Sequence, residues 1–155
     1  MPGATIDPLG GHGNSAWVEH ALVALEDAGY HRGGARLAVI ELLARQGCAM
    51  TAIEIDDRLR AADQAIGRAS VYRALELLEE LKLVQRLDMG RGMASYERLE
   101  PTGEHHHHVV CERCGRVEPF EDPGLERAIG RLESRVGFEV SEHEVVLRGR
   151  CPRCA

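Results

Sequence analysis

The chain has few aromatic residues, no long apolar run and no excess of basic residues. Phenylalanine, tryptophan and tyrosine make up 4% of its 155 residues, so a hydrophobic core must be built largely from leucine, valine, isoleucine and alanine. No apolar stretch approaches the about 20 residues that a membrane span needs. The formal charge of −6 disfavours nucleic acid as a partner if the charge is spread evenly. We therefore expect no membrane partner, and any binding to DNA would depend on a local basic surface.

The first residues also lack the apolar segment of a secretory signal. Residues 1–14 are rich in glycine and proline, and this composition predicts a disordered tail. An oxidising compartment is therefore not indicated, and we expect a cytoplasmic protein. In a reducing cytoplasm, paired cysteines indicate a metal site rather than a disulfide.

Two CxxC pairs are present, Cys111 with Cys114 and Cys151 with Cys154. Together they supply four thiolates, the number that a tetrahedral structural zinc requires. The segment between the pairs is longer than in a compact zinc ribbon, so an intervening subdomain must return the second pair to the first. The spacing predicts a structural zinc.

A run of four histidines, His105 to His108, leads into the first cysteine pair. The run is internal, which argues against a purification tag. Side chains alternate along an extended segment, so His105 and His107 would face one way and His106 and His108 the other. A solvated polar strand is the alternative interpretation, but the segment can supply two metal sites in addition to the zinc.

Apolar spacing predicts a helical first half of the chain. Thr51 is a candidate N-cap, and Glu54 three residues later would complete a capping box. A Gly-rich turn, Gly90-Arg91-Gly92, lies between two short segments typical of strands, which indicates a hairpin. The expected helices cover residues 16–28, a segment from Gly34 that stops at Gly47, residues 51–61, and a segment from about Gly67 to Leu81.

A series of helices followed by a hairpin is the element order of a winged helix-turn-helix. The last helix would be the DNA-recognition helix, and the hairpin would be the wing. Beyond a hinge at residues 101–103, strands are expected at 105–111, 117–121 and 140–147, with a helix at 124–136. The predicted fold class is therefore α+β. We expect a tail at 1–14, a winged-helix DNA-binding domain at 15–100, and a small α/β domain at 104–155.

The segment Gly67-Arg-Ala-Ser-Val-Tyr-Arg-Ala-Leu75, the run HHHH-VVC-ERC-G and the C-terminal CxxC together resemble the ferric uptake regulator family of bacterial metal-sensing repressors. The resemblance covers about Ala21 to Cys154. It implies that the second domain dimerises and that the metal-loaded homodimer binds double-stranded operator DNA. The family includes sensors of iron, zinc, manganese, nickel and peroxide.

The resemblance also implies three sets of metal ligands. Position 107 is often an aspartate in iron sensors of the family, and a histidine here favours zinc or another later transition metal. The regulatory metal is thus expected to be Zn²⁺ or Fe²⁺, with Mn²⁺ or Ni²⁺ as further candidates. The implied sets are Cys111, Cys114, Cys151 and Cys154 for the structural zinc; His105, His107, Glu126 and His143 for a regulatory site; and Glu97, His106 and His108 for a second regulatory site.

The second regulatory site departs from the family pattern. The family usually adds a histidine just before the third helix, where this chain has Cys48-Ala49-Met50. Three interpretations stay open: the site uses three protein ligands, Cys48 takes the missing position, or His31 or another group does so. The simpler alternative is that Cys48 is an ordinary buried small side chain.

A local surface suited to DNA lies at the expected recognition helix. Between Gln64 and Leu75 there are two arginines and no acid. The resemblance places Tyr72 and Arg73 against base edges, where arginine can form a bidentate contact with guanine. It also assigns Arg36 to the DNA backbone and, more loosely, Arg32 or His31 to the minor groove. For Arg73 the alternative is a surface ion pair with Glu76 or Glu80.

A metal-responsive repressor of metal uptake or homeostasis genes is the function that these features favour. A peroxide-sensing regulator of the same family is the first alternative. A metallochaperone or metallo-hydrolase is the second, but there is no HExxH motif and a winged helix would have no purpose in it. We expect no enzymatic activity and no small-molecule ligand other than metal ions. The target genes and any higher oligomer on DNA are left open.

Overall fold

The computed structural model describes residues 10–90, 92–103 and 105–155, and the chain divides into two compact units after Gly103. The described part of the first unit contains four helices and one three-stranded sheet. In chain order the elements are α1 (Gly10–Asp27), α2 (Gly34–Ala44), β1 (Met50–Thr51), α3 (Ala52–Ala61), α4 (Arg68–Glu80), β2 (Val84–Asp88) and β3 (Ala94–Arg98).

The core of the first unit is aliphatic, as the scarcity of aromatic residues predicts. Its buried side chains come from all four helices and include Leu25, Ile40, Ile55 and Leu75. Trp17 and Tyr96 are aromatic members of this core. The Trp17 ring is buried in α1, and its Nε1 donates a hydrogen bond to the carbonyl of Leu99 at 2.9 Å. This bond ties α1 to the chain just beyond β3.

Helix α1 begins earlier than the sequence analysis expected. It starts at Gly10 rather than Ala16, so a disordered tail reaching residue 14 is too long. The expectation relied on the low helix propensity of glycine, and tertiary context overrides such a weak preference. The remainder of the expected tail, residues 1–9, lies outside the described residues.

The capping box at the start of α3 is confirmed. The hydroxyl of Thr51 accepts a hydrogen bond from the backbone N–H of Glu54 at 3.2 Å, and the Glu54 carboxylate accepts one from the Thr51 backbone N–H at 2.8 Å. Two backbone donors at the helix start are thereby satisfied. The box fixes the point at which the chain leaves β1 and enters the helix that precedes α4.

The expected hairpin is also present. Strands β2 and β3 pair antiparallel, and β1 adds to the other edge of β3, which gives the strand order β1-β3-β2. The Asp88 carboxylate accepts a hydrogen bond from the Gly90 N–H at 2.7 Å, and Gly90 adopts a φ of 77°, a left-handed conformation that glycine allows without strain. Helices α2 to α4 with this hairpin form a winged helix-turn-helix.

The second unit is a three-stranded sheet with one helix. Strand β4 is central: it pairs antiparallel with β5 and parallel with β6, so the order is β5-β4-β6. The Asp122 side chain caps the helix by accepting from the N–H groups of Gly124 and Leu125, and Gly137 ends it with a φ of 72°. The elements are β4 (His107–Cys111), β5 (Val117–Phe120), α5 (Pro123–Val136) and β6 (Val146–Gly149).

Two expected strands of this unit are shorter than predicted. β4 begins at His107 rather than His105, and β6 covers Val146–Gly149 rather than residues 140–147. A strand was expected from Val140, but β6 pairs with β4 only from His108↔Val146 to Cys111↔Gly149. A strand extends only as far as its partner provides hydrogen bonds, and sequence alternation cannot show where that partner ends.

Among the residues that the structure describes, no helix is both long enough and apolar enough to cross a membrane.

Candidate metal centres and DNA-binding surface

Two cysteine pairs of the second unit converge on one point. The Sγ atoms of all four residues lie within 4.8 Å of one another, and those of Cys114 and Cys151 are 3.7 Å apart. The first pair follows the end of β4 and the second follows β6, and these two strands are hydrogen-bonded neighbours. The parallel strand pairing therefore returns the second pair to the first. The tetrad is Cys111, Cys114, Cys151 and Cys154.

The geometry of this tetrad fits zinc. Tetrahedral Zn²⁺ with Zn–S bonds of about 2.3 Å requires sulfur atoms about 3.8 Å apart, close to the separation of Cys114 and Cys151. The backbone N–H of Cys151 also lies 3.4 Å from the Cys111 Sγ and points at it. Such N–H···S contacts favour a thiolate, which is the form that binds a metal.

The thiols of Cys111 and Cys154 differ in acidity. Hydrogen bonds from the backbone N–H groups of Cys114 and Cys151 lower the pKa of Cys111 to about 5, so this sulfur is a thiolate at neutral pH. Side-chain hydrogen bonds with Cys114 and Cys151 raise the pKa of Cys154 to about 12. Cys111 is thus prepared to receive a cation, whereas Cys154 needs a metal in order to lose its proton.

A second cluster lies at the other end of β4 and combines three imidazoles with a carboxylate. His107 Nε2 is 2.6 Å from Glu126 Oε1, and His143 Nε2 is 3.1 Å from Glu126 Oε2. The Nε2 atoms of His105 and His143 are 3.0 Å apart. The four residues come from the segment before β4, from β4, from the first turn of α5 and from the segment before β6. All four ligand atoms lie within 4.8 Å of one another.

The distances in this cluster also fit a metal ion. Tetrahedral Zn²⁺ with bonds of about 2.0–2.1 Å requires ligand atoms about 3.3–3.4 Å apart, and the observed separations of 2.6–3.7 Å bracket this value. Hydrogen bonding from His107, followed by that from His143, lowers the pKa of the Glu126 carboxyl, which keeps this ligand ionised. His107 is only 2% exposed, whereas Glu126 is 39% exposed, so the cluster is reached from the side of α5.

The alternation expected along the histidine run is observed. The rings of His105 and His107 pack edge to face with centroids 5.2 Å apart, and those of His106 and His108 do so at 5.0 Å. His108 is buried and His106 is half-buried. The second pair therefore lies apart from the cluster around Glu126, on the opposite face of the strand.

The remaining member of the expected second regulatory site lies in the first unit. Glu97 is buried in β3, where its Oε2 is 3.2 Å from the side-chain nitrogen of Gln85. Cys48 is half-buried, and its Sγ lies within 4.8 Å of a Glu97 carboxylate oxygen. Within this unit, then, a thiol and a buried carboxylate face each other at the position where the family histidine is missing. His31 is exposed, and its carbonyl accepts a hydrogen bond from Arg36.

The exposed face of α4 carries the residues expected to meet DNA. Tyr72 and Arg73 are both exposed, while Val71, Ala74 and Leu75 are buried on the opposite face. The Arg73 guanidinium lies 3.2 Å from the Ser70 hydroxyl. In the described part of the chain it forms no ion pair with Glu76 or Glu80, so its charge is available on this surface.

The two arginines near α2 are engaged within the protein. Arg36 donates to the His31 carbonyl at 2.8 Å, and its guanidinium lies over the ring of Tyr30, 5.4 Å from the centroid. Arg32 forms an ion pair with Glu26 at 2.6 Å, which lowers the pKa of Glu26 and raises that of Arg32. Both residues of that pair are exposed, so DNA could compete for Arg32 at modest cost.

The sequence analysis missed the ion pairs of Asp56, one of which joins α3 to the start of α4. Asp56, on α3, is buried and forms ion pairs with Arg60 and with Arg68, the first residue of α4. An aspartate among apolar positions of an amphipathic helix is the signal that could have revealed it. Its partner twelve residues later could not be chosen before α3 and α4 were packed together.

Comparison with known proteins is consistent across three kinds of match. A model of the ferric uptake regulator family matches residues 27–148. The ferric uptake regulation protein of Bacillus subtilis (strain 168) is 41% identical over 90 residues, which are 57% of this chain and 60% of that protein. That of Legionella pneumophila is 33% identical over 131 residues, 84% and 95% of the two chains. The solved ferric uptake regulator of Helicobacter pylori, described as having three functional metal binding sites, superposes with a TM-score of 0.78 at 25% identity and covers 91% of this chain and 93% of its own.

Proposed function

The chain belongs to the ferric uptake regulator family and is a metal-responsive transcriptional regulator; from this premise we propose that it represses metal uptake or homeostasis genes as a metal-loaded homodimer. The observation that carries the proposal is the cluster of His105, His107, Glu126 and His143. Its four donor atoms lie within 4.8 Å of one another, in a chain whose helix α4 also has an exposed face that carries Tyr72 and Arg73. A metal that binds the DNA-competent form more tightly shifts the population toward that form.

The cysteine tetrad holds a structural zinc in this proposal. Four thiolates leave no open coordination position, which is typical of a structural rather than a catalytic zinc. The tetrad therefore contributes to folding, and sensing is left to the histidine cluster.

The cluster around Glu126 is proposed as the regulatory site, with zinc as the favoured metal. Three imidazoles and one carboxylate make a nitrogen-rich set, and nitrogen ligands favour the later transition metals over manganese. Fe²⁺ remains the principal competitor, because imidazole and carboxylate ligands suit it as well. Mn²⁺ and Ni²⁺ are tested beside them.

Glu97, His106 and His108 are proposed to bind a second regulatory metal. The proximity of Cys48 to Glu97 supports a role for this thiol as an additional ligand, and a thiolate would again favour zinc.

Operator DNA is the proposed partner, contacted by Tyr72 and Arg73 from α4 and by Arg36 and Arg32 from the region of α2. A homodimer is proposed because the second unit leaves apolar side chains in water. Helix α5 has no buried residue, and the exposed positions include Leu132, Val136, Phe138 and Leu147. Apolar patches of this kind mark interaction surfaces.

The proposed location is the cytoplasm, where DNA is present and thiols stay reduced. We propose no enzymatic activity, since the family consists of regulators.

The experiment that tests the proposal is a mobility-shift titration of the full-length protein on its own promoter. Protein purified without added metal is first analysed for metal content and then titrated with Zn²⁺, Fe²⁺, Mn²⁺ or Ni²⁺. Promoter binding should require one of these metals. The double variant His107→Ala, His143→Ala should lose this metal-dependent binding. Binding that is equally tight in the presence of a chelator, or absent with every metal, would refute metal-dependent repression.

A further inference from the structure

A buried carboxylate lies beneath the N-terminal end of the recognition helix. The side chain of Asp56 is only 1% exposed, and its Oδ2 is 2.9 Å from Nε of Arg68 and 3.3 Å from Nη2 of Arg60. Arg60 is one turn away on the same helix, whereas Arg68 belongs to α4. A buried carboxylate requires such partners, because an unpaired buried charge is strongly destabilising.

The contact with Asp56 uses the inner nitrogen of Arg68. Within the described residues, Asp56 is the ion-pair and hydrogen-bond partner of this guanidinium, and it engages Nε. The two outer nitrogens, Nη1 and Nη2, are left on a side chain that is 53% exposed. An arginine held at Nε presents these two N–H groups side by side, the geometry that accepts two adjacent acceptor atoms.

Arg68 lies on the face of α4 that is proposed to meet DNA. Arg68 is the first residue of α4 and lies on the same exposed stripe as Ala69, Tyr72 and Arg73. N-terminal residues of a recognition helix are the ones that reach base edges. A cation at this end of a helix is opposed by the helix dipole, and α4 has no acidic residue in its first turn. Helix stability therefore does not explain an arginine here.

We propose that Arg68 reads a guanine in the operator, through Nη1 and Nη2 to the O6 and N7 acceptors, and that Asp56 is the positioning residue that holds its guanidinium for this contact. The inference rests on the proposed DNA-binding function and adds a specificity-determining residue to it. Ordering the side chain before DNA arrives reduces the entropy lost on binding. Asp56 thus acts on recognition through Arg68 without touching DNA.

The competing explanation is that the ion pair only fixes the packing of α3 against α4. The chain contains a matched control for it. Arg60 binds the same carboxylate, has the same charge and is 56% exposed, but it is not on the recognition helix. Arg60→Ala and Arg68→Ala therefore each remove one partner of Asp56 and leave the other, and only Arg68→Ala removes the proposed base contact.

The test is a fluorescence anisotropy measurement with the metal-loaded, full-length protein on its promoter operator and on a set of operators with single base-pair substitutions. Arg68→Ala should lower affinity for the native operator by about 5- to 150-fold, the range of one bidentate base contact. It should also remove the preference for guanine at one position. Arg68→Lys, which keeps the charge, should lose the same preference, while Arg60→Ala should keep it. Asp56→Asn should weaken the preference at that same position.

Two results would overturn the inference. If Arg68→Ala weakens binding to all operators and to unrelated DNA by the same factor, Arg68 contacts phosphate or supports the fold. If Arg60→Ala and Arg68→Ala have equal effects on base preference, the ion pair of Asp56 with Arg68 only stabilises the packing of α3 against α4. Thermal unfolding of each variant shows whether the fold is retained. If the unaltered metal-loaded protein does not bind the operator, the proposed function itself fails and the inference fails with it.

Discussion

The second unit should depend on its cysteine tetrad for stability, and Cys111→Ser tests that dependence. Of the described residues from 105 onward, only Val110 and Cys111 are buried apolar side chains. The large buried cluster of the protein lies entirely in the first unit, between Trp17 and Tyr96. The second unit therefore has little hydrophobic core of its own, and Cys111 is both part of that core and a thiol whose pKa is lowered to about 5.

The relative size of the two contributions follows from this structure. Two buried side chains contribute about 3–6 kcal/mol of hydrophobic stabilisation, taking about 1.5–3 kcal/mol each. A structural zinc contributes about 10–16 kcal/mol at neutral pH in small domains that fold around it. Serine at position 111 removes the thiolate and much of the zinc affinity. The loss therefore exceeds everything that the small apolar core supplies, so the second unit should unfold while the first remains folded.

Hydrogen exchange with mass spectrometry resolves the two units separately. In Cys111→Ser, amides of β4, β5 and β6 should lose protection, amides of α2 and α4 should keep theirs, and zinc content should fall by about one ion per chain, the content of one Cys₄ site. Dimerisation should be impaired as well. Cys48→Ser is the matched control, because Cys48 lies outside the tetrad; it should keep both the structural zinc and the protection of the sheet. A Cys111→Ser protein with unchanged zinc content, a protected second unit and an intact dimer would refute the reasoning.

Three further predictions concern the first unit and the separation of the metal sites. Thr51→Ala should destabilise the first unit by about 0.5–2 kcal/mol in thermal or denaturant unfolding, while Thr51→Ser, which keeps the capping hydroxyl, should not; equal effects would contradict the capping role. Arg73→Ala should weaken operator binding by about 1–3 kcal/mol without altering metal content or dimerisation, and unchanged affinity would show that α4 is misplaced as the recognition helix. His107→Ala with His143→Ala should remove one regulatory metal in isothermal titration, and His106→Ala with His108→Ala a different one, with the structural zinc retained in both. If either pair abolishes all metal binding outside the cysteine tetrad, the histidines form a single cluster.

Local patterns in the sequence account for much of the fold. The spacing of apolar residues located the helices, Thr51 and Glu54 marked a helix start correctly, and period-two alternation sorted the histidines by face. Each of these features depends on residues that are near one another in the chain. The predicted bounds of the elements were less accurate. Helix α1 begins at Gly10 rather than Ala16, and β6 extends only as far as its pairing with β4.

Long-range pairs were beyond sequence reasoning. The ion pair of Asp56 with Arg68 arises where α3 and α4 come into contact. Many acidic residues could serve each arginine, and a single sequence does not distinguish among them. The resemblance of motifs named candidate metal ligands that are far apart in the chain, and the structure brings the four cysteines together and His105, His107, Glu126 and His143 together. Their assignment as metal ligands stays a prediction.

The pairing of β4 with β6 sets the relative positions of the cysteine tetrad and the cluster around Glu126. The register runs in parallel from His108↔Val146 to Cys111↔Gly149. The cysteine tetrad closes one end of this pair of strands, since Cys151 lies two residues beyond Gly149. The regulatory cluster occupies the other end, where His107 lies on β4 and His143 precedes β6 by three residues. A slip of one residue would turn every side chain of the strand to the opposite face and separate His107 from His143. A structural zinc at the tetrad, as proposed, would fix the register that the proposed regulatory site requires, so removing it should also weaken metal binding at Glu126, even though no ligand of that site has changed.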